Sequence, residues 1–88
     1  MSIKIGDRVI LSLFNGTETP ENPVSPTNDY WKLLGEHGTV VADVQSFSHE
    51  DRLLVQFDTQ ISELGLACHN EIANALWILR SDLSKEHL

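Results

Sequence analysis

Apolar residues recur at every second position in four short stretches of the chain, a period that is typical of β-strands with one buried face. The first stretch, Asp7–Phe14, places Val9, Leu11 and Leu13 on the same face. The other three stretches are Gly38–Val44, Arg52–Asp58 and Ala75–Arg80. We expect five short strands in all, and the pattern delimits these four of them.

The same alternation predicts which side chains form the core. In the third stretch Leu53, Val55 and Phe57 should point inward, whereas Leu54 should point outward. Applied to all four stretches, the pattern predicts one shared core made of Val9, Leu11, Val40, Val55, Phe57, Trp77 and Leu79.

Two long inserts interrupt the regular spacing of the strands. The first, residues 15–35, holds Pro20, Pro23 and Pro26 at intervals of three, which favours a stiff polyproline II path. The second, residues 59–74, fits either a wide hairpin or a hairpin with a short helical turn near its end. The inserts are the natural places for a binding surface, because connecting segments carry function more often than strands do.

Two adjacent aromatic residues, Tyr30 and Trp31, lie in a segment of the first insert that is predicted to form one or two helical turns. Neighbours on a helix point about 100° apart, so only one of the two rings can face the core fully. We assign Trp31 and Leu34 to the core and Tyr30 to the surface.

The pattern as a whole predicts a single small β-domain, residues 1–88. Its antiparallel strands should pair 38–44 with 52–58 through a hairpin loop at 45–51. Closing such a short sheet into a five-stranded barrel would remove its exposed edges.

Four motifs follow one another along the chain: Gly-Asp-x-Val, Gly-x-x-Gly-x-Val, Val-x-Phe-Asp, and an aromatic strand followed by Asp-Leu. Their residues are Gly6, Asp7, Val9, Gly35, Gly38, Val40, Val55, Phe57, Asp58, Trp77, Asp82 and Leu83. This order resembles the Src-homology-like small barrels of the KOW and Mind-bomb type. The resemblance implies a five-stranded antiparallel barrel that binds proteins, peptides or RNA. Residues 81–83 can also start a tight helical turn at one end of such a barrel.

The charge of the chain narrows the choice of partner. Thirteen acids stand against six bases, for a formal net charge of −7, and no Lys/Arg cluster occurs. Nucleic acids and anionic membranes are bound through clustered cations, so neither is an expected partner. An acidic surface instead suits a basic protein, because opposite electric fields steer association.

The chain also gives indications about its compartment. No apolar run approaches the roughly 20 residues of a membrane span, and the N-terminus lacks the apolar region of a secretory signal. Its one cysteine, Cys68, agrees with a reducing compartment. We therefore expect a cytoplasmic protein.

Candidate chemistry is sparse. Cys68, His69 and Asn70 match the residue types of a Cys–His–Asn site, but adjacent residues of an extended chain point to opposite faces. The histidines and the cysteine show no metal-ligand spacing. Glu50 and Asp51 sit at a hairpin tip, where water suppresses the pKa shifts that acid–base catalysis needs. We expect no enzyme activity, cofactor or metal.

Size, charge and a decorated barrel together are similar to bacterial immunity proteins, which neutralise a cognate toxin such as a basic nuclease. We therefore expect a protein-binding module that occludes a basic partner. A scaffold subunit of a permanent complex and a small Cys/His enzyme are the alternatives. The residues predicted to bind the partner are Glu18, Glu21, Asp29, Tyr30, Glu63 and Glu71.

Overall fold

The computed structural model describes residues 3–43, 52–68 and 72–86, which form five β-strands and four single turns of 3-10 helix. The strands are β1 (Arg8–Leu11), β2 (His37–Asp43), β3 (Arg52–Phe57), β4 (Ala75–Leu79) and β5 (Leu83–Lys85). The turns are Pro26–Asn28, Tyr30–Leu33, Ile61–Leu64 and Arg80–Asp82. The predicted mainly-β class is confirmed. Among the described residues, no helix has the length and apolar character that crossing a bilayer requires.

All five strands belong to one antiparallel sheet with the order β4-β3-β2-β1-β5. Strand β2 pairs with β3 from Gly38↔Phe57 to Asp43↔Leu53, so the predicted hairpin pairing is confirmed, and its loop, 45–51, lies outside the described residues. In the part of the chain that is described, β4 and β5 are the two edges and are not hydrogen-bonded neighbours. The sheet is therefore open there and is not closed into a barrel.

The two glycines of the Gly-x-x-Gly-x-Val motif, Gly35 and Gly38, are needed for two different structural reasons. Gly35 precedes β2 with φ of +88°, a conformation that residues with a side chain rarely adopt. At Gly38 an added Cβ would lie 2.7 Å from both the carbonyl oxygen of Gln56 and Cγ1 of Val55. Glycine at Gly38 therefore lets β2 approach β3 closely where their pairing ends.

The core combines the sheet with both inserts. Five of the predicted core residues are buried, namely Val9, Leu11, Val40, Val55 and Phe57. The same cluster also includes Ile3, Leu33, Leu53, Ile61, Leu66, Leu76, Ile78 and Leu83. Because Leu33 belongs to the first insert and Ile61 and Leu66 to the second, the inserts are anchored in the core.

In β4 the observed inward face is the opposite of the predicted one. Ile78 is fully buried, whereas Trp77 is 37% exposed and Leu79 is half-buried. Ile78 lies opposite the buried Leu53, and directly opposed residues share a face of the sheet. The prediction that Trp77 and Leu79 belong to the core is therefore wrong. The strand contains no polar residue, so alternation alone could not choose its inward face.

Leu54 also departs from its predicted outward, solvated position, since only 4% of it is exposed. It lies on the other face of the sheet, in the interior strand β3. Ala42 of β2 and Trp77 of β4 are its direct cross-strand neighbours. Flanking strands on both sides therefore cover Leu54 even though it points away from the main core.

The helical turn expected at 81–83 is present one residue earlier, at Arg80–Asp82. The carbonyl oxygen of Asp82 accepts hydrogen bonds from the amides of Ser12 and Leu13, at 2.8 and 3.3 Å. Because Ser12 and Leu13 directly follow β1, these bonds fix the point where the first insert leaves the sheet.

The register of β4 predicts unequal effects for two neighbouring substitutions. Ile78→Ala should lower the free energy of unfolding by about 2–5 kcal/mol, because it leaves a cavity in the core. Trp77→Ala should cost less than Ile78→Ala, since this indole lies outside the main core and is 37% exposed. Urea denaturation of both variants measures the difference, and a larger loss for Trp77→Ala would contradict the register.

Candidate protein-binding surface

Backbone and side-chain hydrogen bonds join the two inserts to each other. The Tyr30 hydroxyl donates to the carbonyl oxygen of Ala67 at 2.7 Å, and the Ala67 amide donates to the carbonyl oxygen of Thr27 at 2.9 Å. The Lys32 ammonium lies 3.5 Å from the carbonyl oxygen of Leu64. Segments that are separate in sequence therefore form one continuous surface beside the sheet.

The two adjacent aromatic rings take positions other than those predicted. Tyr30 packs against the core, and its ring centroid lies 5.4 Å from that of Phe14. The segment is a 3-10 turn with three residues per turn, so Tyr30 and the fully buried Leu33 lie on one side of it. Burial raises the pKa of Tyr30. The assignment of Tyr30 to the surface is therefore wrong.

Trp31 borders a groove in the first insert. Its indole N–H donates to the Thr17 hydroxyl at 3.1 Å, and its ring meets Phe14 edge to face with a centroid distance of 4.9 Å. The groove has a volume of about 280 Å³ and is lined by Asn15, Thr17, Pro20, Glu21, Asn22, Val24 and Trp31. It combines one aromatic ring, one carboxylate and several small polar side chains.

The predicted binding residues lie in different parts of this surface. Glu18 and Glu21 are exposed in the first insert, and of the two only Glu21 lines the groove. Asp29 is half-buried at the start of the turn that holds Tyr30. Glu63 is exposed in the second insert, next to the Leu64 carbonyl that Lys32 approaches. Glu71 lies outside the described residues.

Sequence reasoning missed the residues that shape the groove, above all Thr17, Val24 and Trp31. Val24 is 38% exposed, which is high for an apolar side chain. One signal was present in the sequence: an apolar residue within a run of Pro, Asn, Ser and Glu has no predicted strand to pack on. The pairing of Thr17 with Trp31 spans 14 residues and had no local signal.

Asn74 holds the second insert closed. Its side-chain amide donates to the carbonyl oxygens of Phe57 and Thr59, the latter at 2.7 Å, and its side-chain oxygen accepts from the Ile61 amide at 2.6 Å. Its φ of +64° places it among the asparagines that tolerate left-handed backbone. Asn74 therefore joins the end of the second insert, which carries Glu63, to its beginning.

Nearby, the thiol of the half-buried Cys68 lies 3.4 Å from the carbonyl oxygen of Ala75. The His69 and Asn70 that follow it, and the pair Glu50 and Asp51, lie outside the described residues. In residues 3–43, 52–68 and 72–86, no three His, Cys, Asp or Glu side chains come together in a way that could hold a metal ion.

A second polar cluster links β1, β2 and β3 to the chain after β5. The Arg8 guanidinium donates to both carboxylate oxygens of Asp58, and a further contact at 3.3 Å joins it to Glu86. The His37 ring lies 2.6 Å from the same Glu86 oxygen. The Arg8 hydrogen bond lowers the pKa of Asp58, and the His37 hydrogen bond lowers that of Glu86. These charges are partly exposed and bind one another.

No family model, curated protein or solved structure matches this chain.

The contact between the inserts can be tested through the Tyr30 hydroxyl. Tyr30→Phe should lower the free energy of unfolding by about 0.5–1.5 kcal/mol, since the Ala67 carbonyl loses its partner. Hydrogen exchange of the Ala67 amide should accelerate, while that of Val55 in the interior strand β3 should change only with global stability. Unchanged exchange at Ala67 would show that the hydroxyl does not hold the inserts together.

The Arg8–Asp58 pair predicts a particular dependence of stability on pH. A carboxyl whose pKa is lowered by folding stabilises the fold above about pH 4, its unfolded pKa, and loses that contribution as the pH falls. Asp58→Asn should therefore destabilise the protein at neutral pH, and its difference from wild type should shrink in acid. The control is Glu18→Gln, which removes an exposed carboxylate of the first insert. A constant Asp58→Asn difference across this range would contradict the ion pair.

Proposed function

We propose that this chain is a non-enzymatic protein-binding module whose joined inserts bind a basic protein. The observation that carries this proposal is the pair of hydrogen bonds at Ala67, which unites both inserts in one surface. In sequence, residues 15–35 contain three acids and one base, and residues 59–74 contain two acids and no Lys or Arg. The united surface therefore carries a net negative charge.

The contacts made by the basic side chains support the same proposal. In the described residues Arg8 pairs with Asp58 and Glu86, and Lys85 pairs with Asp7 at 3.5 Å. Three further bases donate hydrogen bonds to oxygen atoms of this chain: Lys32, Arg52 and Arg80. Five of the six Lys and Arg residues are thus bound within the chain. Cationic side chains that are engaged in this way are less available to bind an anionic partner such as a nucleic acid.

The most specific form of the proposal is an inhibitor of the immunity type. The surface would cover the basic cleft of a toxin domain such as a nuclease, combining steric block with mimicry of an anionic substrate. The partner's cations would be steered by the field of the exposed carboxylates before contact. A cytoplasmic location belongs to this proposal, and a sequence with a single cysteine, Cys68, suits a reducing compartment.

Kinship with the Src-homology-like small barrels is also part of the proposal. Three of the motif residues support this kinship by their structural positions: Gly35 at the turn before β2, Gly38 at the close approach of two strands, and Asp58 directly after β3. Asp82 lies in the turn that leads into β5. Closure into a barrel belongs to the same kinship.

The proposal is tested by charge reversal of the exposed pair, Glu18→Lys with Glu21→Lys. The probe is the product of the neighbouring gene, measured by stopped-flow association. The Debye length falls from about 10 Å at 0.1 M salt to about 3 Å at 1 M, so salt should slow association by wild type more than it speeds dissociation. The double variant should associate slowly at all salt concentrations.

Two controls belong to this experiment. Urea denaturation should show nearly unchanged stability, because both glutamates are exposed. Glu86→Gln removes a negative charge outside the inserts, so it should leave the association rate close to that of wild type. An affinity that ignores salt and both reversals would refute the electrostatic mechanism and favour an apolar scaffold contact.

A further inference from the structure

The groove beside Trp31 is a preformed aromatic site. The indole is held from two directions, by its hydrogen bond to Thr17 and by its edge-to-face contact with Phe14. Two contacts on a ring that has only two side-chain torsions leave it little freedom to reorient. A ligand that meets this ring therefore loses little free energy to ordering it, which favours binding.

The composition of the groove favours one kind of occupant. A volume of about 280 Å³ accepts a single long side chain. The ring of Trp31 attracts a cation placed over its face, and Glu21 supplies the carboxylate with which that cation can pair. Of the two long cationic side chains, arginine stacks on aromatic rings through its planar guanidinium and donates in a fork that suits a carboxylate.

A buried carboxyl group lies behind the wall of the groove. Asp82 is 1% exposed, and one of its oxygens accepts from the amide of Gly16 at 3.0 Å. Its other oxygen has no hydrogen-bond partner among the described residues. Gly16 stands between Asn15 and Thr17, which both line the groove. The Asp82 carboxyl group therefore holds the backbone of the groove wall in place through Gly16.

The groove wall already accepts a hydrogen bond from a guanidinium. Arg52 of β3 donates from Nη2 to the side-chain oxygen of Asn15 at 3.0 Å, and from Nη1 to the carbonyl oxygen of Trp77 at 3.2 Å. The Asn15 amide is thereby oriented by the protein itself. The Asn15 side chain is therefore a fixed part of the groove wall, with its oxygen already bonded to Arg52, and Glu21 is the groove carboxylate left to pair with a cation.

We propose that the groove binds the side chain of one arginine of the partner, stacked against Trp31 and paired with Glu21. This inference rests on the proposed function, because it names the side chain by which a basic partner is recognised. Exposed glutamates elsewhere in the inserts steer the partner, whereas the groove selects arginine over lysine.

The test measures the two indole N–H resonances of ¹⁵N-labelled protein during titration with a blocked Gly-Arg-Gly peptide. The resonance of Trp31 should shift saturably, and that of Trp77 should serve as an internal control. A Gly-citrulline-Gly peptide has nearly the same shape without the charge, and should bind at least about tenfold more weakly. A Gly-Lys-Gly peptide should bind more weakly than the arginine peptide.

Glu21→Gln and Glu18→Gln form a matched pair of variants, since both remove one exposed carboxylate from the same insert. Glu21→Gln should weaken binding of the arginine peptide about three- to tenfold, as expected for loss of a charge-assisted contact. Glu18→Gln should change it less than twofold, because only screened long-range attraction is lost.

Equal binding of the arginine and citrulline peptides, or equal losses in the two variants, would overturn the arginine site. The outcomes also separate this inference from the proposed function. If the basic protein binds with the expected salt dependence while the arginine peptide leaves Trp31 unshifted, only the groove inference fails. If the peptide binds but no basic protein does, the groove stands and the proposed function fails.

Discussion

Ala67 is the residue at which the candidate surface is assembled, because both of its backbone polar groups bond to the other insert. Its carbonyl oxygen accepts from Tyr30 and its amide donates to the carbonyl oxygen of Thr27. Neither bond would position the inserts without the core beneath them. Leu33 and Leu66 are buried on either side of this contact, so apolar packing supplies the stability and the hydrogen bonds determine the alignment.

The position of the groove depends on a contact between the two ends of the chain. The turn before β5 accepts the amides of Ser12 and Leu13 through the Asp82 carbonyl, and the Asp82 side chain accepts the amide of Gly16. One buried residue thus holds three of the first five residues after β1, namely Ser12, Leu13 and Gly16. Thr17 follows directly and holds the indole of Trp31. The position of the aromatic ring is therefore set by an element from the far end of the chain.

Hydrophobic alternation identified the inward face of β1, β2 and β3, where Val9, Val40 and Val55 are buried, but it did not predict the burial of Leu54 on the opposite face of β3. It failed in β4, where an uninterrupted apolar run leaves both faces equally apolar, and only pairing with β3 selects Ile78 over Trp77. The acidic character of the inserts followed from composition. Their joining at Ala67 did not, because backbone groups are the same at every position and carry no sequence signal.

The recognition that we propose for this surface has two physical parts. Carboxylates such as Glu18 act through the field at distances of a Debye length or so, and need no fixed geometry. Stacking and paired hydrogen bonds act only at contact, and they need a ring and a carboxylate in defined positions. The contacts that hold Trp31 meet this requirement for the ring before any partner arrives. Affinity for a basic partner should therefore depend on charge for its rate of association, and on the groove for its lifetime.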